Sequence, residues 1–256
     1  MPASEWFLAR GGTGSEPVAR LFCFSYAGGN PRRFLEWQPE LAGDAEVLAV
    51  CIPGQGHRPM EPRPALEAVA DGAAAAIRTA IQGDGRPAYL FGHSLGGLLA
   101  FEVARRLRGL PALRHLVASG ISAPSLLPSA RSLQLAGLRG KAFAEALRFF
   151  GGLPPEIFAD DDLLDLLLPG VTADFRLAAS YRYQPDPPLD LPVSVITGRD
   201  DPHVGPEQVR PWRRECRTPP TFHWVDGGHL FLDERPSEVI ELLRDLFRSD
   251  QYVELI

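Results

Sequence analysis

The chain is poor in cysteine, in lysine and in positive charge overall, and it has no long apolar run. Cys23, Cys51 and Cys216 are its only three cysteines in 256 residues. They are odd in number, far apart and form no C-x-x-C pair, which disfavours a disulfide framework or a thiolate zinc site. Cys23 and Cys51 fall inside apolar runs, where a buried thiol is the expected role. A reducing, cytoplasmic home is therefore expected. Lys141 is the sole lysine, a bias of codons rather than of chemistry. The formal charge of −6 offers no basic field for nucleic acid. No apolar run approaches the roughly 20 residues of a membrane span. The opening MPASEWFLARGGTGSEP lacks the basic start and apolar stretch of a secretory signal. What remains is a chain with 45% hydrophobic residues, long enough to bury a core without staples.

Strand-like runs alternate with helical patterns. The runs lie at Arg20–Tyr26, Glu46–Ile52, Ala88–Phe91, His115–Ala118, Val193–Thr197 and Thr221–Val225. Their near-continuous apolar character predicts strands covered on both faces, as in a parallel sheet. Helices are predicted at Ala65–Ile81, Leu98–Leu107, Glu207–Glu215 and Ser237–Phe247, the last with Ser237 as N-cap after Pro236. Alternating β and α over the whole length predicts a single α/β domain, residues 1–256. From residue 122 to 188 no strand is evident, and the pattern is helical and broken by proline. An insertion this long exceeds a simple crossover. It is expected to be a helical cap that moves to admit a ligand, with Phe149, Phe150 and Phe175 facing an apolar chamber or packing the cap. Ordinary packing helices are the alternative.

The chemistry concentrates in YLFGHSLGGLLAFEVARRL. Gly92-His93-Ser94-Leu95-Gly96 is a G-x-S-x-G that directly follows a strand-like run and precedes an amphipathic helix. That context is the strand–turn–helix of a nucleophile elbow. Glycine two positions either side of Ser94 suits so tight a turn, and the helix N-terminus favours developing negative charge. A glycine turn carrying a solvated serine is the alternative. A serine hydroxyl needs a base. In this arrangement the partners follow in the order acid, then histidine. His229 sits in the glycine loop after the last strand-like run and is the candidate base; His57, in PGQGHR, is the second candidate. His93 must point away from the nucleophile, which suggests packing. His115, His203 and His223 read as surface or strand residues. VSVITGRDDPHV supplies the acid: a glycine, two residues, then the acid selects Asp201, with Asp200 as the rival register. Two backbone amides complete an oxyanion hole, Leu95 after the nucleophile and Ala27 in the loop FSYAGGN. That loop is followed by no G-K-[ST], so it is not a phosphate loop.

These segments together resemble the type II thioesterases, the discrete editing enzymes of polyketide synthases and non-ribosomal peptide synthetases. The resemblance runs through LFCFSYAGGNPRRFLEWQPEL with Trp37, CIPGQGHRPMEP, the elbow, GGLPPEIF, LLLPGVTADFRLAASYRY, ITGRDDPHV with the later Trp212, and GGHLFL. Seven motifs in the same order span nearly the whole chain. It departs from the family at Gln55 and Thr172, where arginine is usual, and at Leu95, where methionine is common. Ser125–Gly140 is only loosely similar. The resemblance implies an α/β-hydrolase fold with a helical cap and a Ser94–His229–Asp201 triad. It also implies hydrolysis of acyl groups from the phosphopantetheine arm of an acyl or peptidyl carrier protein. No metal or organic cofactor and no membrane or nucleic-acid partner is implied, and a monomer is expected. Arg32, Arg33 and Arg58 are candidates for attracting an acidic carrier, with solvated surface as the alternative. A carboxylesterase or lipase, an acyltransferase, and a non-catalytic binding module remain the rival functions.

Overall fold

The structure, a computed structural model, describes residues 5–11, 17–82, 85–147 and 161–253, without the side chains of 161, 163–165 and 251–253. Seven strands form one sheet: β1 (Phe7–Ala9), β2 (Ala19–Phe24), β3 (Ala45–Val50), β4 (Ala88–His93), β5 (Leu113–Ser119), β6 (Val193–Gly198) and β7 (Thr221–Val225). Their spatial order is β1-β3-β2-β4-β5-β6-β7. All neighbours run parallel except β1, which pairs antiparallel with β3, Phe7 opposite Val50. This is the mostly parallel sheet of an α/β-hydrolase. The edge strand β1 is absent from the sequence reading because three residues carry no readable alternation.

The two faces of the sheet are covered by different helices. Alternate side chains of a strand point to opposite faces. Phe22, Phe24, Leu90 and Leu116 accordingly join the core beneath α1 (Leu66–Ile81) and α2 (Leu95–Arg106). Leu21, Cys23, Phe91 and Val117 join the other core, with Val239, Ile240, Leu243 and Phe247 of α8 (Pro236–Val253). Every residue of β2, β4 and β6 is buried, as continuous apolar runs require. All three cysteines are buried and free. Ser237 is not the N-cap of α8: Pro236 already takes the first helical position, where its missing N–H costs nothing.

Between β5 and β6 lie α3 (Ala130–Ala136), α4 (Gly140–Leu147) and α5 (Asp161–Ser180). They share a small core of their own, built on Leu135, Phe143, Leu147, Leu168 and Val171. The end of α5 and the segment after it leave that core, and Leu177, Tyr181 and Leu189 pack with the main body. Phe149 and Phe150 lie outside the described residues. The predicted helix Glu207–Glu215 is instead α6 (Pro206–Val209) followed by a 3-10 turn at Arg210–Arg214, because Pro211 has no N–H for an α-helical bond. A short α7 (Phe231–Glu234) precedes α8.

Candidate active site

Ser94 stands at the junction of β4 and α2 with φ +53°, the one non-glycine residue with positive φ among those described. Its neighbours explain how such a conformation is held. A methyl group on Gly92 would strike the Gly96 carbonyl, and one on Gly96 would strike the Phe24 carbonyl. The strained turn therefore exists because both flanking positions lack a side chain. The Ser94 amide donates to the Ser119 carbonyl at 2.8 Å, tying the turn to β5. Leu95 is the first residue of α2, so its amide has no acceptor inside the helix.

His229 comes from the glycine loop after β7. Its Nε2 lies 3.2 Å from Ser94 Oγ and its Nδ1 2.7 Å from Asp201 Oδ2. Asp201 sits after β6 and is 9% exposed. Its other oxygen accepts the His203 amide at 2.8 Å and the Val204 amide at 3.2 Å. Burial alone would push the Asp201 carboxyl up. The hydrogen bond and charge of His229 and the two amides outweigh burial and hold it below the ordinary Asp range. Asp200 is exposed, so the register Gly198-x-x-Asp201 is the one that meets the imidazole.

Three other histidines occupy distinct places. His93 is fully buried, and burial, with the neighbouring His229, pushes its pKa down to about 3. The neutral ring donates from Nε2 to the His229 carbonyl at 2.8 Å, which leaves Nδ1 to accept from Ser119 Oγ at 2.9 Å. The packing role expected of His93 is thus one of support to the His229 loop. His203 corrects the sequence reading. It is a half-buried residue that lines the same cleft as Ser94, its ring 5.5 Å from that of His229. Burial and His229 push its pKa down to about 4. Its position was hidden because the turn after β6, rather than any periodicity, brings it inward. His57 is exposed and is not part of the cleft lining.

The cleft over Ser94 encloses about 720 Å³, part of it open to solvent. Ala27, Ser94 and His229 line it from the body, and Leu127, Leu147, Val171 and Phe175 from the β5–β6 insertion. Of the arginines expected near an entrance, Arg32 is exposed and Arg33 pairs with Asp233 at 3.1 Å. Arg58 does not belong with them. It is 8% exposed, forked onto Glu61 at 2.6 and 2.7 Å, and stacked 4.5 Å from the Trp6 ring. Among the described residues no helix is long and apolar enough to cross a membrane, and no cluster of three potential ligands could hold a metal ion.

A serine on a tight strand–helix elbow, a histidine bridging it to a carboxylate, and an apolar cleft above them are the geometry found in serine hydrolases. Comparison with known proteins decides which. The profile of the thioesterase domain matches residues 19–247. The chain belongs to the thioesterase family. It is 35% identical over 231 residues to thioesterase PikA5 of Streptomyces venezuelae, covering 89% of this chain and 80% of that protein. It is 32% identical over 252 residues to a Brevibacillus parabrevis protein named linear gramicidin dehydrogenase LgrE, covering 96% and 94% of the two chains. Among solved structures, the type II thioesterase BorB of the borrelidin cluster superposes with a TM-score of 0.82 at 30% identity, covering 96% of this chain and 99% of that one. This thioesterase thus shares its fold over nearly its whole length with type II members of the family.

Proposed function

We propose that this thioesterase hydrolyses acyl thioesters from the phosphopantetheine arm of a carrier protein, clearing stalled polyketide or non-ribosomal peptide synthases. The observation that carries the reading is the continuous chain from Ser94 Oγ through His229 to Asp201 at the floor of an apolar cleft. His229 Nε2 takes the Ser94 proton as Oγ attacks the thioester carbonyl. The tetrahedral oxyanion is received by the amides of Leu95 and Ala27, so that charge develops against fixed dipoles. His229 then returns the proton to the departing thiol. In the second half it deprotonates water, which attacks the acyl-Ser94 ester, and then returns that proton to Ser94 Oγ as the acid leaves. Asp201 keeps the His229 proton on Nδ1 and stabilises the imidazolium.

Residues 122–188 act as a cap, whose N-terminal helices move to admit the arm while the end of α5 stays packed on the body. Supporting this, Leu127, Leu147, Val171 and Phe175 supply one wall of the cleft. The three free, buried cysteines suit a reducing compartment such as the cytoplasm, and the working unit is proposed to be a monomer. The test is hydrolysis of one acyl group presented on a carrier protein, on pantetheine and on an aryl alcohol, each at two salt concentrations. Carrier-borne substrate is expected to have the highest kcat/KM, because the arm and the carrier add binding energy remote from the scissile bond. Exposed Arg32 is expected to make that advantage salt-sensitive. Equal efficiency on all three would favour a general esterase. Transfer to an added alcohol in preference to water would favour an acyltransferase. Failure of a serine-directed probe to label Ser94 would favour a binding module.

A further inference from the structure

Asp174 lies on α5, outside the proposed reacting groups, and is 2% exposed. Its partners come from two separate loops of the body. Oδ2 accepts the Gly28 amide at 3.0 Å and Gln55 Nε2 at 2.9 Å, while Oδ1 pairs with the Arg63 guanidinium. Arg63 in turn donates to the Pro53 carbonyl. Gln55, where the family usually has arginine, is thus a neutral donor beside an arginine supplied eight positions later. Burial pushes the Asp174 carboxyl up, and Arg63, Gly28 and Gln55 pull it back.

The Gly28 amide is the informative partner. The Gly29 amide bonds the Tyr26 carbonyl at 2.9 Å and Gly28 has φ +77°, which makes residues 26–29 a turn of type II. In that turn the peptide joining Ala27 to Gly28 is flipped relative to type I, so its N–H points to the other side. Asp174 accepts that N–H. Three residues earlier on the same face of α5, Val171 sits 3.1 Å from where a Gly28 side chain would begin. One turn of α5 therefore grips the loop that carries Ala27, with an apolar contact and a charged one.

We propose that Asp174 is a positioning residue: by fixing the middle peptide of the 26–29 turn it aims the Ala27 amide at the developing oxyanion. This rests on the serine-hydrolase reading above. It also assigns the C-terminal half of α5 to the site's fixed frame rather than to the moving part of the cap.

The experiment compares wild type, Asp174→Asn and Asp174→Leu on acyl-pantetheine, with two inhibitors. One is a trifluoromethyl ketone, which forms a hemiketal oxyanion on Ser94; the other is the unreactive acyl amide. Asp174→Leu is expected to lower kcat about 100-fold with KM within about threefold, the scale of losing one oxyanion donor. Asp174→Asn, which still offers an oxygen to Gly28, should recover most of that loss. Ketone affinity should fall in proportion to kcat/KM, while amide affinity and the pH profile stay unchanged. If Asp174→Leu does not fold, Gln55→Leu and Arg63→Met loosen the same carboxylate and should weaken the ketone more than the amide. A variant series in which ketone and amide weaken equally, or in which only the melting temperature moves, overturns the proposal alone. A wild type inert to both thioester and ketone overturns the serine-hydrolase reading together with it.

Discussion

The sheet body and the β5–β6 insertion solve different problems with similar amino acids. In the body, β2, β4 and β6 are wholly buried between two helical layers, and the loops at their ends hold Ser94, Asp201 and Ala27. In the insertion, a handful of leucines, a valine and a phenylalanine form a separate small core. Of the six large hydrophobic residues exposed among those described, Leu126, Leu133, Leu166 and Leu167 belong to it. Helix α5 divides these characters within one element. Its N-terminal half exposes Leu166 and Leu167 ahead of Pro169, which removes a helix hydrogen bond. Its C-terminal half is locked to the body by Asp174, Leu177 and the adjoining Tyr181. The difference teaches where precision is needed. Groups that must meet within a hydrogen bond's length are set on strand ends, and surfaces that need only be apolar are left to helices with a small core of their own.

The sharpest way to break this comparison is to remove chemistry from the body without touching its packing. Ser94→Ala should reduce hydrolysis on the order of 10⁴-fold or more while leaving the melting temperature nearly unchanged. Asp201→Asn should cost about 10⁴-fold through the His229 tautomer, against about twofold or less for exposed Asp200→Asn. Steady-state kinetics and a thermal melt decide both. The reverse ranking of the two aspartates would move the register by one residue.

Packing offers the next contrast. Phe91→Ala, in the body, should cost about 3–5 kcal/mol and lower the melting of the whole domain. Leu135→Ala, in the insertion core, should speed amide exchange across residues 130–147 while the strands exchange as before. Equal acceleration in β4 and β5 would show the two regions to be one cooperative unit.

The most gradual effect concerns pH and the histidines, all of which lie outside residues 122–188. Burial first, and a neighbouring histidine second, push His93 down to about 3 and His115 down to about 4 from an ordinary 6.5. Below 6.5 the unfolded chain takes up protons that these folded groups refuse. Stability should therefore fall as pH drops from about 6.5 toward 4, by at most about 1.4 kcal/mol per pH unit for each such group. His115→Gln should flatten the dependence of melting temperature on pH. An unchanged slope would remove His115 from the account.

The elbow was legible in the sequence because its requirement is local: two glycines and a serine between a strand and a helix admit few other structures. The places after the last two strands pointed to Asp201, with Asp200 as rival, and to His229, with His57 as second candidate; Asp201 and His229 are the pair that meet. What escaped reading depends on tertiary contact. The register of Asp174 against Gly28 and Gln55 joins positions more than a hundred residues apart, and no periodicity marks it. His203 reads as a surface or strand residue, yet the turn after β6 brings it beside His229. Arg58 looked like exposed charge, yet Glu61 and Trp6 fold it back onto the body. Edge strand β1 is too short to show alternation, and Pro211 divides what composition suggested was one helix.

The hydrogen bond from His93 to the His229 carbonyl has a mechanical meaning. His93 is the residue immediately before Ser94, so the end of β4 holds Ser94 through the chain and His229 through an imidazole. A displacement of that strand end carries both partners in the same direction, and their separation is insulated from it. Motions of the sheet as a whole are therefore expected to leave the 3.2 Å approach of nitrogen to oxygen largely unaltered. The loop bearing His229 gains its freedom only when β4 loses its neighbours, so inactivation by heat should coincide with melting of the sheet and not precede it.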